Sequence, residues 1–527
     1  MDSRRRRDRS QVWMLSLALL GACGTARDRE PARGHTEAPA TVVAMSPLHD
    51  ALAQHAGAQH QQALAAADDA LLLRRASLDL LGRIPTAAEL DAFAAAPAST
   101  RYQQAIDRML AAPEHADHLA QLWTDVLLAR ALKLPPAVER GTHDWLAAQF
   151  ADDRGFDQTT RDLLAVTGEV EADGPAGFLL AHGRRRRSAA VAGETARVFL
   201  GTQIQCAQCH DHPDANYSQR EFHAFAAHFA RLSIRPLERG ASTRLRVVEN
   251  RRGQGRLPTA SDPPDRPSGE IVMPSYFGTA TDERGNRREA LAEAIVADRR
   301  FARAIANRSF AQLMGRGVVE PVDGLPIDGA VPPLLDALAD TLIAGEFDLD
   351  ALLRAIVLSP AYRASGTADD GAEARVAAFA QAAVRPLPDH ALLRSLAVAA
   401  GVDPDDPASL PPGVRRRDLR EFRFVFDDDE GMEVDEGPNL PQALLWQHGE
   451  LVARAASARG DTVLARVLRA HDDPDARIDA LWWQLFARSP ADRERTAARA
   501  TVQRDDAASW EDLVHAMLCS SEFTTNH

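Results

Sequence analysis

Within the eight residues "QCAQCHDH", Gln205 to His212, two cysteines and two histidines stand together in a chain that holds four cysteines in 527 residues. The spacing Cys206-x-x-Cys209-His210 is that of a c-type haem attachment site: two thiols reach the vinyl groups, and the next imidazole turns onto the iron. Two other chemistries use the same atoms. A zinc ion would take Cys206, Cys209, His210 and His212, with His223 or His228 as substitutes, but adjacent Cys209 and His210 fit poorly around one small tetrahedral ion. A redox dithiol or a disulfide is the third, although such pairs favour a cysteine at a helix N-terminus that follows a strand. For haem, His182, His223, His228 and Met273 are candidates for the sixth ligand. His228 in "FAAHFA" also reads as a helix-face residue among aromatics, and Met273 as core. An open or water-ligated position would instead permit chemistry at the iron.

Covalent haem attachment takes place outside the bacterial cytoplasm, and the first residues carry a signal for that route. A basic stretch, "MDSRRRRDRSQ", precedes the apolar run "VWMLSLALLGA" and Cys23. The run is too short to span a bilayer as a mature helix and reads as a processed export signal over residues 1–22. Its end, "LGAC", resembles the lipobox of bacterial lipoproteins, which implies that Cys23 becomes the lipidated first residue of a protein anchored at the cell envelope and facing the periplasm. A plain secretory signal with an incidental cysteine is the alternative. Residues 23–46 are rich in Ala, Pro, Thr, Gly and charge, lack any core-forming period and read as a flexible tether. His35, His49, His55 and His60, in or near it, read as solvated.

The elements that must position the CxxCH motif are helical. Thr86 and Glu89 form a capping box ahead of "AAELDAFAA", and helices are predicted over 100–111, 114–131 and 142–149. The motif falls in the link between "AAVAGETARVFLGTQIQ" and a helix opened by Ser218 with Glu221 three residues on. Short strands are predicted only in 231–280, at "TRLRVVEN" and "GEIVMPS". Beyond 288 the helical period returns, with a break near Asp298, an N-cap at Asp348 and Pro360 closing that helix. The expected fold is therefore mainly α, a helical two-domain protein with a small β-containing insertion near the junction. Its parts are a helical domain over 47–235 with the CxxCH, a junction over 236–285 and a second helical domain over 286–527.

Composition narrows the function. With 75 acidic against 61 basic residues the formal charge is −14, which gives no electrostatic footprint for nucleic acid. There is no GxSxG, phosphate loop, HExxH or dinucleotide fingerprint. "FDDDEGMEVDEG", Phe426 to Gly437, lacks the alternate spacing of an EF-hand and reads as a solvated acidic loop. Arg184 to Arg187 would suit haem propionates, an anionic partner or a solvated loop alike. Asp79, Glu89 and Asp125 read as helix caps or partners of arginines such as Arg75, and Cys519 as a free thiol in an apolar position.

Several separated motifs resemble two companion families. Arg75, Leu78, Asp79, Leu80, Gly82, Pro85, Thr86 and Glu89, then Leu110, Pro113, His115, Trp123 and Asp125, then "FLGTQIQCAQCHDHPDANYSQREFHAFAAHFA", are similar to the planctomycete cytochrome-like family DUF1549 (PSCyt2). "FARAIANRSFAQLMGRGVVEPVDG", "LLDALADTLIAGEFDLDALLRAIVLSPAYR", "LWWQLFARSPADRE" and "LVHAMLCSSEFTTNH" resemble DUF1553 (PSD1). The resemblance implies little about function beyond the CxxCH itself. The sequence thus points to an exported haem c protein acting in electron transfer or haem-dependent oxidation, with a redox or envelope protein partner. The rival is a non-catalytic binding or scaffold lipoprotein with structural zinc or a disulfide at the CxxCH.

Cleavage before Cys23 with a diacylglyceryl adduct on that residue is the expected outcome of intact-mass analysis of the membrane fraction. Retention of residues 1–22 would refute it.

Overall fold

Segments with apolar residues at three- and four-residue spacing become helices nearly throughout, because each can bury one stripe against its neighbours. The computed structural model describes residues 47–57, 67–129, 134, 136–170, 174–183, 188–213, 215–236, 245–250, 252–262, 267–281, 285–366, 372–402 and 440–527. Cys23, the tether, His60, Arg184 to Arg187 and the acidic loop lie outside them.

The chain runs through α1 (Pro47–Ala56), α2 (Asp69–Leu80), α3 (Ala87–Ala95), α4 (Arg101–Leu110), α5 (Pro113–Leu128), α6 (Pro136–Ala151) and α7 (Phe156–Ala165). It continues through β1 (Gly168–Val170), α8 (Gly177–His182), α9 (Ser188–Leu200) and α10 (Gln219–Ala226). The junction holds β2 (Leu232–Pro236), β3 (Leu245–Glu249), β4 (Gly255–Arg256), β5 (Ile271–Val272), β6 (Ser275–Tyr276) and β7 (Thr279–Ala280). Beyond it lie α11 (Arg287–Ala297), α12 (Arg299–Met314), α13 (Pro333–Ala344), α14 (Leu349–Val357), α15 (Ala372–Ala377), β8 (Arg385–Pro386) and α16 (Asp389–Ala400). The last stretch comprises α17 (Leu440–His448), α18 (Glu450–Ala455), α19 (Val463–Ala470), α20 (Pro474–Phe486), α21 (Asp492–Thr501), α22 (Ala507–Leu518), α23 (Ser521–Thr524) and β9 (Thr525–Asn526). The fold is mainly α.

Local chemistry sets many of the boundaries. The Thr86–Glu89 and Ser218–Glu221 capping boxes both form, and Asp348 caps α14 through the Asp350 amide. The break near Asp298 is a new N-cap: its carboxylate accepts from the Arg300 amide and starts α12. Helix α6 begins six residues before its expected start. The predicted strand "TRLRVVEN" supplies β3, the centre of a three-stranded antiparallel sheet in the order β1-β3-β2. Strands β1 and β2 escape sequence reasoning because three residues, or five with a terminal Pro, carry too little alternation. Met273 is not core: placed between the two-residue strands β5 and β6, it is 51% exposed. His55 lies on α1 and is exposed, with one side of its ring near Phe379 at 5.4 Å between centroids.

Buried apolar residues form two main clusters. The first runs from Leu48 to Phe379 with Ala487 added, and includes Leu291, Ile305, Leu338 and Leu352 beside Trp123, Phe156 and Phe199. Helix α11 packs on α7 and α12 on α9, so elements from both sides of the junction share one core. The second joins Leu396, Val452, Trp482, Trp510 and Phe523 to Leu78 and Ile84. The first cluster draws mostly on residues before about 380 and the second mostly on residues after it, with Leu78 and Ile84 as exceptions in the second.

Helix α2 ties these clusters together with polar groups. Asp79, 6% exposed in its side chain, accepts from Arg385 Nη2 at 2.7 Å, Tyr362 Oη at 2.7 Å and Asn526 Nδ2 at 2.9 Å. Its partner is thus Arg385 and not Arg75. Arg75 donates instead to the carbonyls of Tyr362, Ala364 and His527, and Arg74 to those of Glu522 and Thr525. Glu89 pairs with Arg83, and Asp125 accepts from Gln121. One turn later the chain reverses at Gly82, φ +64°, where a Cβ would stand 2.4 Å from His118 Nδ1. Only glycine fits both the left-handed backbone and the buried imidazole. Burial, with the His390 and His115 rings beside it, holds His118 neutral.

Asp79→Ala should cost about 3–5 kcal/mol in urea unfolding, since it leaves a largely buried guanidinium without its carboxylate. Asp79→Asn, which keeps an acceptor oxygen, should cost less; equal midpoints for the two variants and the parent would show that the network adds nothing.

His115 supplies a pH dependence. Burial lowers its affinity for a proton, but the hydrogen bond and charge of Asp350 at 2.8 Å outweigh burial and raise its pKa above 6.5. A raised folded-state pKa gives stability that is fully present below pH 6.5 and lost as the pH rises through the folded value. The difference in stability between parent and Asp350→Asn should therefore shrink above pH 6.5, as urea midpoints across a pH series will show.

Candidate functional site

Helix α9 delivers the chain to Gly201, whose φ of +62° turns it sharply; a Cβ there would meet Leu325 at 2.7 Å. The next residues are fastened to a strap from beyond the junction. The Leu325 amide donates to Gly201 O at 2.8 Å, the Thr202 hydroxyl donates to Leu325 O at 3.0 Å, and Gln203 Nε2 donates to Asp323 Oδ1 at 2.9 Å. Residues Gln205–Gln208 then form one turn of 3₁₀ helix. At three residues per turn, positions three apart eclipse. Ile204 and Ala207 fall on the inner face and are buried, while Cys206 and Cys209 fall together on the outer edge and are exposed free thiols. The thiols form no disulfide.

His210 follows on the same exposed edge. Its Nδ1 lies 2.7 Å from Asp211 O. A carbonyl can only accept, so the proton sits on Nδ1 and the lone pair on Nε2. The turn is held from α10: the Gln219 amide donates to Asp211 Oδ1 at 2.8 Å, while Gln219 Nε2 and His223 Nε2 donate to Gln208 O at 3.3 and 3.1 Å. The His212 amide donates to Tyr217 O at 2.8 Å, and the buried Tyr217 ring packs on Phe277.

The other candidates divide by burial. His212 is half-buried on the loop itself. His223 is buried with its Nε2 directed at Gln208 O, and burial lowers its pKa. His228 is buried with both nitrogens engaged: Nδ1–H donates to Phe225 O, and Nε2 accepts from the Thr281 hydroxyl. Burial draws it down to about 4. His182 donates through Nε2 to Leu127 O at 2.8 Å, and burial lowers it too. Cys206, Cys209 and His210 are thus exposed and His212 half-buried along residues 206–212, while His182 and His228 are kept in hydrogen bonds with the protein interior. Among the described residues, no three His, Cys, Asp or Glu side chains are grouped to hold a metal ion. Cys519 is only partly buried, beside His515 Nδ1 at 3.8 Å, and burial raises its thiol to about 11.

Sequence reasoning missed Gln208, Gln219, Asp323 and Leu325. Gln219 was within reach, since it directly follows the N-cap Ser218 that closes the loop. Nothing local links 323–325 to the motif.

No described helix is long and apolar enough to cross a membrane. No curated protein and no solved structure matches the chain. Residues 47–233 match PSCyt2, a protein of unknown function (DUF1549), and residues 287–422 match PSD1, a protein of unknown function (DUF1553). The first match contains the CxxCH turn and α2, and the second contains the strap at 323–325 together with Tyr362 and Arg385, so the contacts that hold the site join the two. The chain belongs to the proteins that carry a DUF1549 (PSCyt2) region followed by a DUF1553 (PSD1) region.

Proposed function

We propose that this chain is an exported c-type haem protein, held at the cell envelope by a lipid on Cys23 and facing the periplasm, that serves electron transfer or haem-dependent oxidation with an envelope partner. The observation that carries this reading is the shared exposed edge of Cys206 and Cys209, one 3₁₀ turn apart, with His210 next to them and its Nδ1 proton committed to Asp211 O. Each thiol is accessible for addition across a vinyl group, in which sulfur bonds one carbon, the thiol hydrogen goes to the other, and no oxidant is needed. His210 would hold the iron through Nε2, its tautomer and ring orientation set by the Asp211 carbonyl. When bound, haem supplies one-electron iron chemistry.

The residues around the turn have defined parts in this reading. Ile204 and Ala207 anchor the inner side of the turn and keep water from it. Gln219 and His223 fix the Gln208 carbonyl, which sets the spacing between the thiols and the imidazole. An exposed edge suits electron exchange with a docked protein, because the group would lie at the surface rather than beneath it. A zinc ion in the same place would need four ligands, and adjacent Cys209 and His210 fit poorly around one small tetrahedral ion.

Expressed with a periplasmic haem-attachment system, the protein should keep its Soret absorbance through denaturation and acid-acetone extraction. Cys206→Ala should weaken that retention, whereas His210→Ala should change the iron's ligand field and leave the covalent links. Wild-type protein carrying one zinc and no haem would overturn the proposal in favour of a metal site. Protein with neither, and with Cys206 and Cys209 oxidised to a disulfide, would favour a structural staple in a binding or scaffold lipoprotein.

A further inference from the structure

Away from the CxxCH turn, the first half of α6 and the segment ahead of α8 border an open groove of about 560 Å³. Arg140, Gly141, Asp144 and Trp145 stand one helical turn apart on one face of α6, and Gly174 and Pro175 form the opposite wall. The Gly174 amide donates to Gly141 O at 3.0 Å, which draws two backbones without side chains together and leaves the floor of the groove clear. Gly174, φ +93°, lies against the indole of Trp145: a Cβ there would stand 3.6 Å from the ring. Trp145 is half-buried, so one part of the indole is braced and the rest faces the groove. Arg140 and Asp144 are exposed beside it. Arg140 has no ion-pair partner among the described residues, while Asp144 receives a hydrogen bond from His143 at 3.1 Å.

We infer that this groove binds a neutral saccharide, with a sugar ring stacked on the Trp145 indole and its hydroxyls bridged between Arg140 and Asp144. A pyranose ring has an apolar C–H face and a rim of hydroxyls that both donate and accept. The groove has the matching parts: a flat amphipathic ring, a guanidinium that only donates and a carboxylate that only accepts. An anionic ligand would meet Asp144, a cationic one would meet Arg140, and an apolar one would strip water from both without replacing its hydrogen bonds. The volume lies within the range of small-ligand sites, and the groove is open to solvent along the described residues. This site does not depend on what the CxxCH turn holds.

Isothermal titration of the intact protein with cellohexaose, maltohexaose and laminarihexaose tests the proposal, with hexagalacturonate as the anionic counterpart. At least one neutral hexasaccharide should bind with a Kd on the order of 0.1–1 mM, a usual strength for a shallow polar site. Trp145→Ala should weaken it at least about tenfold, equivalent to some 1.4 kcal/mol. Arg140→Ala and Asp144→Asn alter exposed side chains and should weaken binding without loss of fold, so they carry the test if Trp145→Ala does not fold. Arg256→Ala, on the exposed β4 strand, should leave binding unchanged. The proposal is overturned if none of the neutral hexasaccharides binds, if binding survives all three groove variants, or if only hexagalacturonate binds.

Discussion

Asp79 sits at the end of α2 and gathers an arginine, a tyrosine and an asparagine from three segments that return to it from far along the chain, Asn526 from 447 positions away. Arg74 and Arg75, one turn back on the same helix, reach the carbonyls of residues 362–364 and of the last six residues. Helix α2 is thus amphipathic in an uncommon sense: its apolar residues enter both main hydrophobic clusters, and Arg74 and Arg75 are buried as well. Burial draws the Arg74 guanidinium down to about 10, a measure of how far it has left water. Buried charge of this kind is costly unless it is hydrogen-bonded, and here the guanidinium groups donate to backbone carbonyls from residues 362–364 and 522–527. The network therefore commits the chain terminus to one position.

That commitment reaches the CxxCH turn through shared elements. Arg385 donates to Asp79 and also to the carbonyls of Gln312 and Leu313 at the end of α12. Helix α12 packs on α9, which leads into the turn, and the strap at 323–325 follows α12 in sequence and grips residues 201–203. The turn is consequently held on its inner side by elements from both matched regions, while its outer edge stays open. An exposed edge on a firmly held turn is the arrangement that the proposed haem attachment calls for.

Much of this was legible in the residues. The CxxCH spacing, the two capping boxes, the N-cap at Asp348 and the break at Asp298 depend on contacts within three or four positions, and local chemistry of that kind survives folding unchanged. The mainly α class followed from apolar spacing for the same reason. The failures have a common cause. Met273 looked apolar and therefore buried, but a residue between two-residue strands has too little structure around it to be covered. Asp79 read as a helix cap or the partner of an arginine such as Arg75; it does pair with an arginine, but with Arg385, 306 positions on, while Arg75 turns to backbone carbonyls.

The sequence by itself determined the helical class, the chemistry available at Cys206, Cys209 and His210, and the places where helices begin, because propensity, periodicity and caps act over one or two turns. Tertiary structure alone decided that both thiols share an exposed edge while Ile204 and Ala207 face inward, since a 3₁₀ turn occurs there directly after residues 201–203, which are hydrogen-bonded to the strap at 323–325. It alone decided that His182 and His228 are occupied by interior partners, and that helices on both sides of the junction fill one core. Those outcomes depend on which surfaces meet, and the meeting is set by complementarity among segments hundreds of residues apart, for which no local pattern exists.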